Sequence, residues 1–216
     1  MGADDEKRLA AEAAAELVSD GMAVGLGTGS TVAHLLPAIA RRGLTGIRCV
    51  ATSVATERQA RELGIPVEEF GELERLDLAI DGADQVTPDG WLVKGGGGAH
   101  LREKIVAAAA ERFVVIADAS KPVDRLTPPV PLELFAFGLR STLARLGPEV
   151  HLREAPRSPD GGVIADFLGE VDDPAALAAR LDGDPGVAEH GLFPPQLVSD
   201  VIVAAGGAVR RTALTR

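Results

Sequence analysis

The sequence predicts an α/β fold: a parallel-sheet, Rossmann-like main domain with a small α+β domain of ferredoxin type inserted near the C-terminus. Short apolar runs alternate with helical patterns through the first two-thirds of the chain, which is the order of βαβ units. After Pro128-Pro129 and Pro131 the pattern changes to short strands among two helical segments. An apolar run at 197–205 is suited to return to the main sheet. We therefore predict a main domain of residues 1–129 plus 197–216 and a small domain of residues 130–196.

The individual elements follow from hydrophobic spacing and from helix-breaking residues. A first helix is predicted over 4–19, because Leu9, Ala13 and Leu17 fall on one helical face. Pro37 lies inside the second predicted helix and predicts a kink there. Predicted helices are 31–42, 55–63, 101–110, 135–146 and 175–181. Predicted strands are 22–26, 47–51, 76–80, 91–93 and 113–117, with 150–153 and 163–167 in the small domain.

The composition excludes several classes of protein. No apolar run approaches the roughly 20 residues that a membrane helix needs, and the charged N-terminus lacks the apolar stretch of a signal peptide. The single cysteine, Cys49, excludes an internal disulfide framework and is typical of a reducing compartment. We therefore expect a cytoplasmic protein with no membrane partner.

The charge balance argues against a nucleic-acid partner. The net charge is −10, whereas binding to a phosphate backbone depends on an excess of Lys and Arg. The chain has no Tyr and one Trp, so aromatic platforms for base stacking are also scarce. Only four of its 22 basic residues are lysines, which suggests that Lys is kept where a compact, titratable ammonium is needed. These four are Lys7, Lys94, Lys104 and Lys121.

The first motif that carries chemistry is the glycine-rich turn 25–31, between a predicted strand and a predicted helix. Its glycines let the backbone approach a ligand closely, and its hydroxyls and helix N-terminus offer donors to a phosphate. A dinucleotide fingerprint would need a glycine at Ser30, and a phosphate-loop signature would need a Gly-Lys pair. Nucleotide binding therefore fails by spacing, and an ordinary capped turn is the alternative.

The second motif is Asp77–Asp84, in which an apolar strand runs into Asp81 and Gly82 bends the chain toward Asp84. The carboxyl ends of parallel strands are where ligands bind in open α/β sheets. Two nearby carboxylates disfavour each other's ionisation, which suits proton handling or hydroxyl recognition. The alternative for either aspartate alone is a solvated turn that caps the next segment.

The third motif is Lys94–Lys104, which contains four consecutive glycines followed by Glu103 about one helical turn later. Consecutive glycines cost stability, and backbone N–H groups aimed at developing negative charge are a reason to keep them. A first-turn residue favoured by the helix dipole is the alternative for Glu103. A fourth fragment places Lys121 just beyond another predicted strand.

The sequence predicts no metal. The four histidines, His34, His100, His151 and His190, lack zinc-ligand spacing, and Cys49 in an apolar strand is expected in the core. His100 lies within the third motif and is interpreted as a surface helix residue. Mg²⁺ held by carboxylates of Asp81, Asp84 and Glu103 is the metal-dependent alternative.

These loops, in this order, resemble the ribose-5-phosphate isomerases of type A. The resemblance spans nearly the whole chain, with support from Ala51-Thr52-Ser53 and from 185–193. It implies interconversion of D-ribose 5-phosphate and D-ribulose 5-phosphate without a cofactor, a small lid-like domain, and a homodimer or homotetramer. The sugar phosphate would be the small-molecule ligand.

The resemblance also implies a role for each motif residue. Glu103 matches the general base, which would move a proton between C1 and C2 through an enediolate. Asp81, Asp84 and Lys94 match positions that bind the sugar hydroxyls and assist ring opening and proton shuttling. The turn 28–31 and Lys121 match phosphate-binding positions, and Lys7 matches a further one less closely. The glycines from Gly95 onward would donate N–H groups to the enediolate oxygens. The full set of matched substrate-binding positions is Thr28, Gly29, Ser30, Thr31, Gly82, Ala83, Gly95, Gly96, Gly97, Lys121 and Lys7.

Two positions depart from the family pattern. The turn Ser158-Pro159-Asp160-Gly161 stands where the family often has Thr-Asp-Asn-Gly, and His100 occupies a position that is commonly apolar. Pro159 removes one acidic side chain and one backbone donor, which puts any substrate contact by the small domain in doubt.

Two other functions compete with the isomerase. A non-catalytic sugar-phosphate sensor would use the same loops, but no basic DNA-binding module is apparent. A coenzyme A transferase or another nucleotide-linked enzyme on a similar fold is the second alternative, although these loops do not require a nucleotide.

Overall fold

The computed structural model describes residues 2–214, which form two compact units. The first unit contains residues 2–83, 102–122 and 195–214 of the described chain. The second unit contains residues 84–101 and 123–194. The domain boundaries predicted at residues 129 and 197 stay a prediction.

The helices and strands are numbered in chain order. The helices are α1 (Ala3–Ala15), α2 (Val32–Arg41), α3 (Val54–Glu62), α4 (His100–Ala109), α5 (Leu139–Leu146) and α6 (Pro174–Asp182), with a 3₁₀ turn at Pro195–Leu197. The first seven strands are β1 (Ala23–Leu26), β2 (Arg48–Ala51), β3 (Leu78–Gly82), β4 (Gln85–Val86), β5 (Leu92–Val93), β6 (Phe113–Asp118) and β7 (Val130–Leu134). The last six are β8 (Val150–Leu152), β9 (Val163–Phe167), β10 (Val187–His190), β11 (Leu192–Phe193), β12 (Asp200–Ala205) and β13 (Ala208–Ala213).

The first unit is built on a six-stranded sheet in the order β13-β12-β6-β3-β1-β2. The strands β12, β6, β3, β1 and β2 are parallel, and β13 is antiparallel at the edge. The predicted strands 22–26, 47–51, 76–80 and 113–117, and the returning run 197–205, are confirmed. Every residue of β6 is buried, as expected of a central parallel strand with both faces covered. The predicted α/β class is confirmed.

The run 91–93 was expected in the parallel sheet, and this expectation is wrong. Its strand, β5, pairs antiparallel with β4 and β11 in a separate three-stranded sheet. Only the residues Thr87–Trp91 join β4 to β5, with the Thr87 N–H donating to the Trp91 carbonyl at 2.9 Å. A parallel pairing would need a crossover of roughly a dozen residues or more, which this turn does not supply.

The second unit contains a four-stranded antiparallel sheet in the order β10-β7-β9-β8. The chain order is β7-α5-β8-β9-α6-β10, so the predicted ferredoxin-type unit is confirmed. The helix predicted over 135–146 begins only at Leu139, and β7 was not predicted. Pro131 conceals β7 in the sequence, because proline in the middle of a sheet removes a ladder donor. Here Pro131 lies near the strand's start, beyond the last ladder pair with β10, which joins Leu132 to His190.

Helix α1 is shorter than the predicted 4–19 and presents a different face. Its buried residues are Ala10, Ala11, Ala14 and Ala15, whereas the predicted face of Leu9, Ala13 and Leu17 is only partly buried. Alanine side chains let α1 approach β6 and β12 closely, and the leucines pack around the margin of this contact. Helical spacing therefore identified the helix but not its contact face.

Helix α2 continues through Pro37, from Val32 to Arg41. The proline ring removes the N–H that would bond the carbonyl of Ala33, four residues earlier. The Gln59 side chain of α3 donates to that carbonyl instead, at 3.5 Å. The predicted kink stays a prediction.

Cys49 is fully buried in β2, and burial raises the pKa of its thiol to about 12, so its expected core position is confirmed.

No helix among residues 2–214 combines the length and apolar character required to cross a lipid bilayer.

Asp200 anchors the end of the main sheet at the start of β12. Its buried carboxylate accepts hydrogen bonds from Arg112 Nε and Arg211 Nε, each at 2.8 Å. Burial raises the pKa of Asp200, but the hydrogen bonds and charges of the two arginines outweigh burial and leave the pKa below its ordinary value. A carboxylate with a lowered pKa stabilises the folded chain above its unfolded pKa, about 3.9, and less as the pH falls through its folded pKa.

We therefore expect Asp200→Asn to lower the free energy of unfolding at pH 7 by about 1–3 kcal/mol, because two arginines lose a charged acceptor. The variant should also lose less stability than the wild type when the pH falls below about 4. Denaturant unfolding at pH 7 and at acid pH measures both effects, with the exposed Asp124→Asn as control. Parallel pH profiles for the wild type and Asp200→Asn would contradict the ion-pair account.

Candidate functional site

The polar residues of the first unit gather where its parallel strands end. Strand β1 lies between β2 and β3 in the sheet. The chain adds β2 on one side of β1 and β3 on the other, so the strand order reverses at β1. In open α/β sheets a ligand crevice forms at such a switch point, beyond the carboxyl ends of the strands. Four buried polar side chains terminate or follow the strands at this edge: Thr31, Thr52, Asp81 and Asp118.

Asp81 fastens the first two motifs together at the switch point. Its Oδ1 accepts hydrogen bonds from the Thr28 N–H at 3.0 Å and the Gly82 N–H at 2.7 Å. The side chain is 3% exposed, and a Cβ at Gly27 would overlap its carboxylate. Glycine is therefore required at position 27, directly after β1, where the backbone passes against the Asp81 carboxylate.

The predicted phosphate turn follows Gly27. The Thr28 hydroxyl lies 2.8 Å from the Ser53 hydroxyl, and Ser53 caps α3 by accepting from the Thr56 N–H at 3.1 Å. Gly29 has φ +93°, a left-handed conformation that favours glycine, and it is exposed together with Ser30. Thr31 is buried at the N-cap of α2. The turn therefore offers exposed backbone and one hydroxyl to a ligand, beside a buried threonine.

Glu103 lies in the first turn of α4. Two contacts within the first unit show how far along the strands of the main sheet this turn lies. The Ala109 carbonyl, at the last residue of α4, accepts from the Leu76 N–H at 3.0 Å, so this end of the helix lies at the amino edge of β3. Val106 packs on Gly25 of β1, where an added Cβ would overlap its side chain.

Glu103 precedes Val106 by one turn, on the same helix face. These three residues rise about 4.5 Å along the helix, and a strand advances about 3.3 Å per residue. These distances bring Glu103 level with the turn that follows Leu26. Its side chain is 5% exposed, so a carboxylate is buried at the level of the carboxyl edge of the sheet.

Two of the predicted lysines lie around Asp118, at the end of β6. Burial raises the pKa of Asp118, but hydrogen bonds from Ser120 and the charges of Lys121 and Lys7 outweigh burial and leave the pKa below its ordinary value. The charges of Lys7 of α1 and of Lys121 thus act on one carboxylate, although the two lysines are 114 positions apart in sequence (121 − 7). Asp118 holds the turn in shape, since both the N–H and the hydroxyl of Ser120 donate to it.

The second unit carries the other part of the predicted set. Asp84 is exposed, and its Oδ2 accepts from the Gly96 N–H at 2.9 Å. The Gly98 N–H donates to the Gly95 carbonyl at 2.9 Å, so two of the glycine N–H groups hold the loop itself. Gly97 is exposed, and a Cβ there would meet open space. The aspartate and the glycine loop are therefore a single hydrogen-bonded structure.

Lys94 is 3% exposed, and its Nζ lies 5.5 Å from the centroid of the Phe193 ring. Its N–H donates to the Gly191 carbonyl at 2.9 Å, which ties the start of the glycine loop to the end of the small unit. A buried ammonium over an aromatic ring has limited freedom to move. Lys94 is thus held in one orientation.

The interpretation of His100 as a surface residue is wrong, because His100 is fully buried. Gly95 has φ +99°, and a Cβ there would lie 2.6 Å from His100 Nδ1. The imidazole occupies the space that the missing side chain leaves. Helical spacing could not reveal this, because the contact depends on the path of the loop.

The departure at Pro159 is accommodated by Ser158. Its hydroxyl is hydrogen-bonded to the buried Glu133 and accepts from the Asp160 and Gly162 N–H groups at 3.2 and 3.0 Å. The turn therefore needs no donor at position 159. The side chains of 155–159 line a hollow of about 230 Å³ that the glycine loop also lines.

Within residues 2–214, one group of side chains has metal-ligand proximity: Asp182, Glu189 and His190, whose ligand atoms lie within 4.8 Å of one another. His190 Nε2 lies 3.0 Å from Asp182 Oδ1, a distance at which a protonated imidazole and the carboxylate form an ion pair. The group belongs to the small unit and was not predicted. The absence of a metal requirement stays a prediction.

Sequence reasoning assigned no role to three residues that the structure ties to the motifs. Ser53 holds Thr28, Asp118 holds the turn before Lys121, and Arg153 donates to the Gly96 carbonyl at 2.9 Å. The first two could have been found as polar residues at strand ends. Arg153 gives no signal of its own in a chain with 18 arginines.

The fold defines a doubly wound α/β protein, a class in which ligands bind at the carboxyl ends of the strands. The family model of ribose 5-phosphate isomerase A (phosphoriboisomerase A) matches residues 48–207. This chain belongs to that family.

Similar proteins cover nearly the whole chain. The ribose-5-phosphate isomerase A of Caulobacter vibrioides (strain NA1000 / CB15N) is 50% identical over 207 residues, which cover 89% of this chain and 91% of that protein. That of Gloeobacter violaceus is 47% identical over 222 residues, covering 97% and 96%.

Solved structures agree in fold. The ribose 5-phosphate isomerase A of Neisseria gonorrhoeae superposes with a TM-score of 0.94 at 34% identity, covering 100% of this chain and 99% of that one. A D-ribose-5-phosphate isomerase in complex with phospho-erythronic acid gives a TM-score of 0.92 at 31% identity, covering 99% and 100%.

The close approach at Gly27 can be tested by substitution. We expect Gly27→Ala to lower the free energy of unfolding by about 1–3 kcal/mol, because the new methyl group would overlap the Asp81 carboxylate. Denaturant unfolding measures this. Gly71→Ala is the control, since a Cβ there meets nothing within 4 Å. Equal stability of the two variants would contradict the packing at Asp81.

Proposed function

We propose that this chain interconverts D-ribose 5-phosphate and D-ribulose 5-phosphate, as an aldose–ketose isomerase of the non-oxidative pentose phosphate pathway. The observation that carries the proposal is the buried carboxylate of Glu103 at the sheet edge that also holds Asp81 and the phosphate turn. Membership in the ribose 5-phosphate isomerase A family supports it.

In the proposed reaction Glu103 is the general base. Its carboxylate takes the proton from C2 of the open-chain aldose, and the electrons of that C–H bond form the C1=C2 bond of an enediolate. The electrons of the C1 carbonyl bond move to O1, and the hydroxyl proton of O2 is transferred to O1. Glu103 then returns its proton to C1 as O2 becomes the ketone oxygen, so the reaction needs no redox partner. A positioned general base contributes about 10²–10⁴-fold to such a rate.

The remaining motif residues stabilise charge and bind the sugar in this proposal. Asp81, Asp84 and Lys94 bind hydroxyl groups and assist ring opening and proton shuttling. Backbone donors in the loop 95–97 stabilise the enediolate oxygens, and one such donor is typically worth about 2.7–4 kcal/mol. Gly97 is exposed, which suits a donor to the substrate.

Phosphate binding is assigned to the turn 28–31, to Lys121 and to Lys7. The charges of Lys121 and Lys7 support this, because both act on Asp118 and lower its pKa, after the larger effect of the Ser120 hydrogen bonds. The phosphate does not react, yet its binding energy can hold the reacting carbons in place. Gly29, Ser30, Thr31, Gly82 and Ala83 complete the proposed substrate contacts.

Two further proposals concern assembly and location. We propose a homodimer or homotetramer, since the second unit exposes 96% of Phe137 and 53% of Phe135. Light scattering of the purified chain measures this, and a monomer would contradict it.

A reducing cytoplasmic location is in keeping with the single, buried Cys49.

We expect the purified protein to convert ribose 5-phosphate in a coupled assay, both with and without EDTA. We expect Glu103→Gln to lower kcat about a hundredfold or more with little change in KM. The amide keeps the shape of the side chain but is a very weak base. Glu111→Gln, on an exposed carboxylate just beyond the same helix, is the matched control and should keep wild-type kcat.

The outcomes separate the competing functions. A wild-type chain that binds ribose 5-phosphate without turnover would indicate a sensor. Stabilisation by coenzyme A or nucleotides in a thermal-shift screen would favour a nucleotide-linked enzyme. Activity lost with EDTA and restored by Mg²⁺ would revive the metal-dependent alternative.

We expect Lys121→Ala to raise KM for ribose 5-phosphate about tenfold or more with a smaller effect on kcat, because it removes a charge from the non-reacting end of the substrate. Steady-state kinetics measure the two constants. The exposed Arg125→Ala is the control for net charge. A defect confined to kcat would remove Lys121 from the phosphate site.

A further inference from the structure

We infer that Arg153 is a positioning residue for the isomerisation: it braces the glycine loop that holds Asp84. The inference rests on the proposed function and concerns a residue outside the motifs that suggested it. Arg153 follows strand β8 in the second unit, and all the contacts that carry the argument lie within that unit.

The guanidinium of Arg153 makes two sets of contacts. Its Nη1 donates to the carbonyl of Gly96 at 2.9 Å and lies 3.4 Å from the carbonyl of Gly95. Its Nε donates to Asp166 Oδ2 at 2.9 Å, and its Nη2 donates to the other oxygen of the same carboxylate. The bidentate pair with Asp166 fixes the plane of the fork, which leaves Nη1 aimed at the loop.

The loop needs such a brace because it has no side chains of its own. Gly95 and Gly98 adopt φ values of +99° and +74°, and four consecutive glycines have high freedom in the unfolded chain. The Gly96 N–H donates to Asp84 while its carbonyl accepts from Arg153. One residue therefore links the proposed catalytic Asp84 to the Arg153–Asp166 pair.

Arg153 also acts on the donors of the loop through the peptide bond. The carbonyl of Gly96 and the N–H of Gly97 belong to the same peptide group. A cation on the carbonyl oxygen polarises that group, which makes the N–H a stronger donor. Gly97 is exposed, and its N–H is the donor that would gain strength toward an enediolate oxygen.

A purely structural role is the alternative, and the chain supplies a matched comparison. Arg145 and Asp184 form a second bidentate pair in the same unit, with distances of 2.8 and 2.7 Å. The remaining hydrogen bonds of Arg145 go to Ser141 and Thr142 of its own helix. Removing Arg145 deletes an equivalent ion pair without touching the glycine loop.

The test compares kcat and KM for ribose 5-phosphate, thermal stability, and amide exchange of residues 95–98. We expect Arg153→Ala to lower kcat about tenfold to a hundredfold with KM within about twofold, because small misplacements at a reacting centre are costly. Added guanidinium should restore part of the lost kcat, and Arg153→Lys should retain more than alanine. Exchange at residues 95–98 should quicken in Arg153→Ala and stay unchanged in Arg145→Ala, which should also keep wild-type kcat.

Each outcome decides the inference. The inference is overturned if the wild type is active and Arg153→Ala has normal kcat and unchanged amide exchange at residues 95–98. An equal loss of kcat in Arg145→Ala would reduce Arg153 to a structural residue. If Arg153→Ala does not fold, Arg153→Lys and Asp166→Asn decide, since both should lower kcat and quicken loop exchange. A wild-type chain without turnover would instead refute the proposed function, and the inference with it.

Discussion

The candidate site depends on one buried carboxylate that accepts backbone hydrogen bonds. Asp81 binds the N–H groups of Thr28 and Gly82, and so joins the end of β3 to the turn after β1 at the point where the sheet reverses its order. This contact exists only because position 27 lacks a side chain. The turn that follows is consequently held at a fixed distance from the carboxylate. A ligand that met both would find them already oriented, which is the condition for effective catalysis by positioning.

The same principle recurs in the second unit with the partners exchanged. There Asp84 is exposed, and the glycine loop is held by contacts of Gly96 on both sides, from Asp84 and from Arg153. Glycine is the residue that lets a backbone serve as a binding surface, but it supplies no side chain with which to hold that surface still. Carboxylates and a guanidinium from other segments supply the rigidity. Both loops therefore combine a permissive backbone with polar side chains from elsewhere in their unit.

The sequence predicted what is local and missed what is distant. Strand ends, turn glycines and the first turn of α4 are determined by neighbouring residues, and with them Asp81, Glu103 and Lys121 could be proposed. The 91–93 run was assigned to the wrong sheet because the length of its connection was not weighed, and Pro131 concealed β7. Arg153 is 57 positions from Gly96, and the bond goes to a carbonyl, which every residue has. No residue pattern can report a contact of that kind. Buried His100 likewise depends on the path of a loop.

The proposed phosphate site contains a carboxylate, Asp118, although a carboxylate repels a phosphate, and its presence has a physical explanation. Asp118 lies near Lys7 and Lys121, and its lowered pKa keeps it ionised at neutral pH. The three groups together carry a net charge of about +1, which is less than the two lysines alone would offer a phosphate dianion. In exchange, Asp118 fixes the Ser120 turn that carries Lys121. Substrate and product of an isomerase carry the same phosphate, so tighter binding at that end would retard release as much as it favoured capture. An oriented site of moderate charge therefore suits a reversible reaction better than a site of maximal charge.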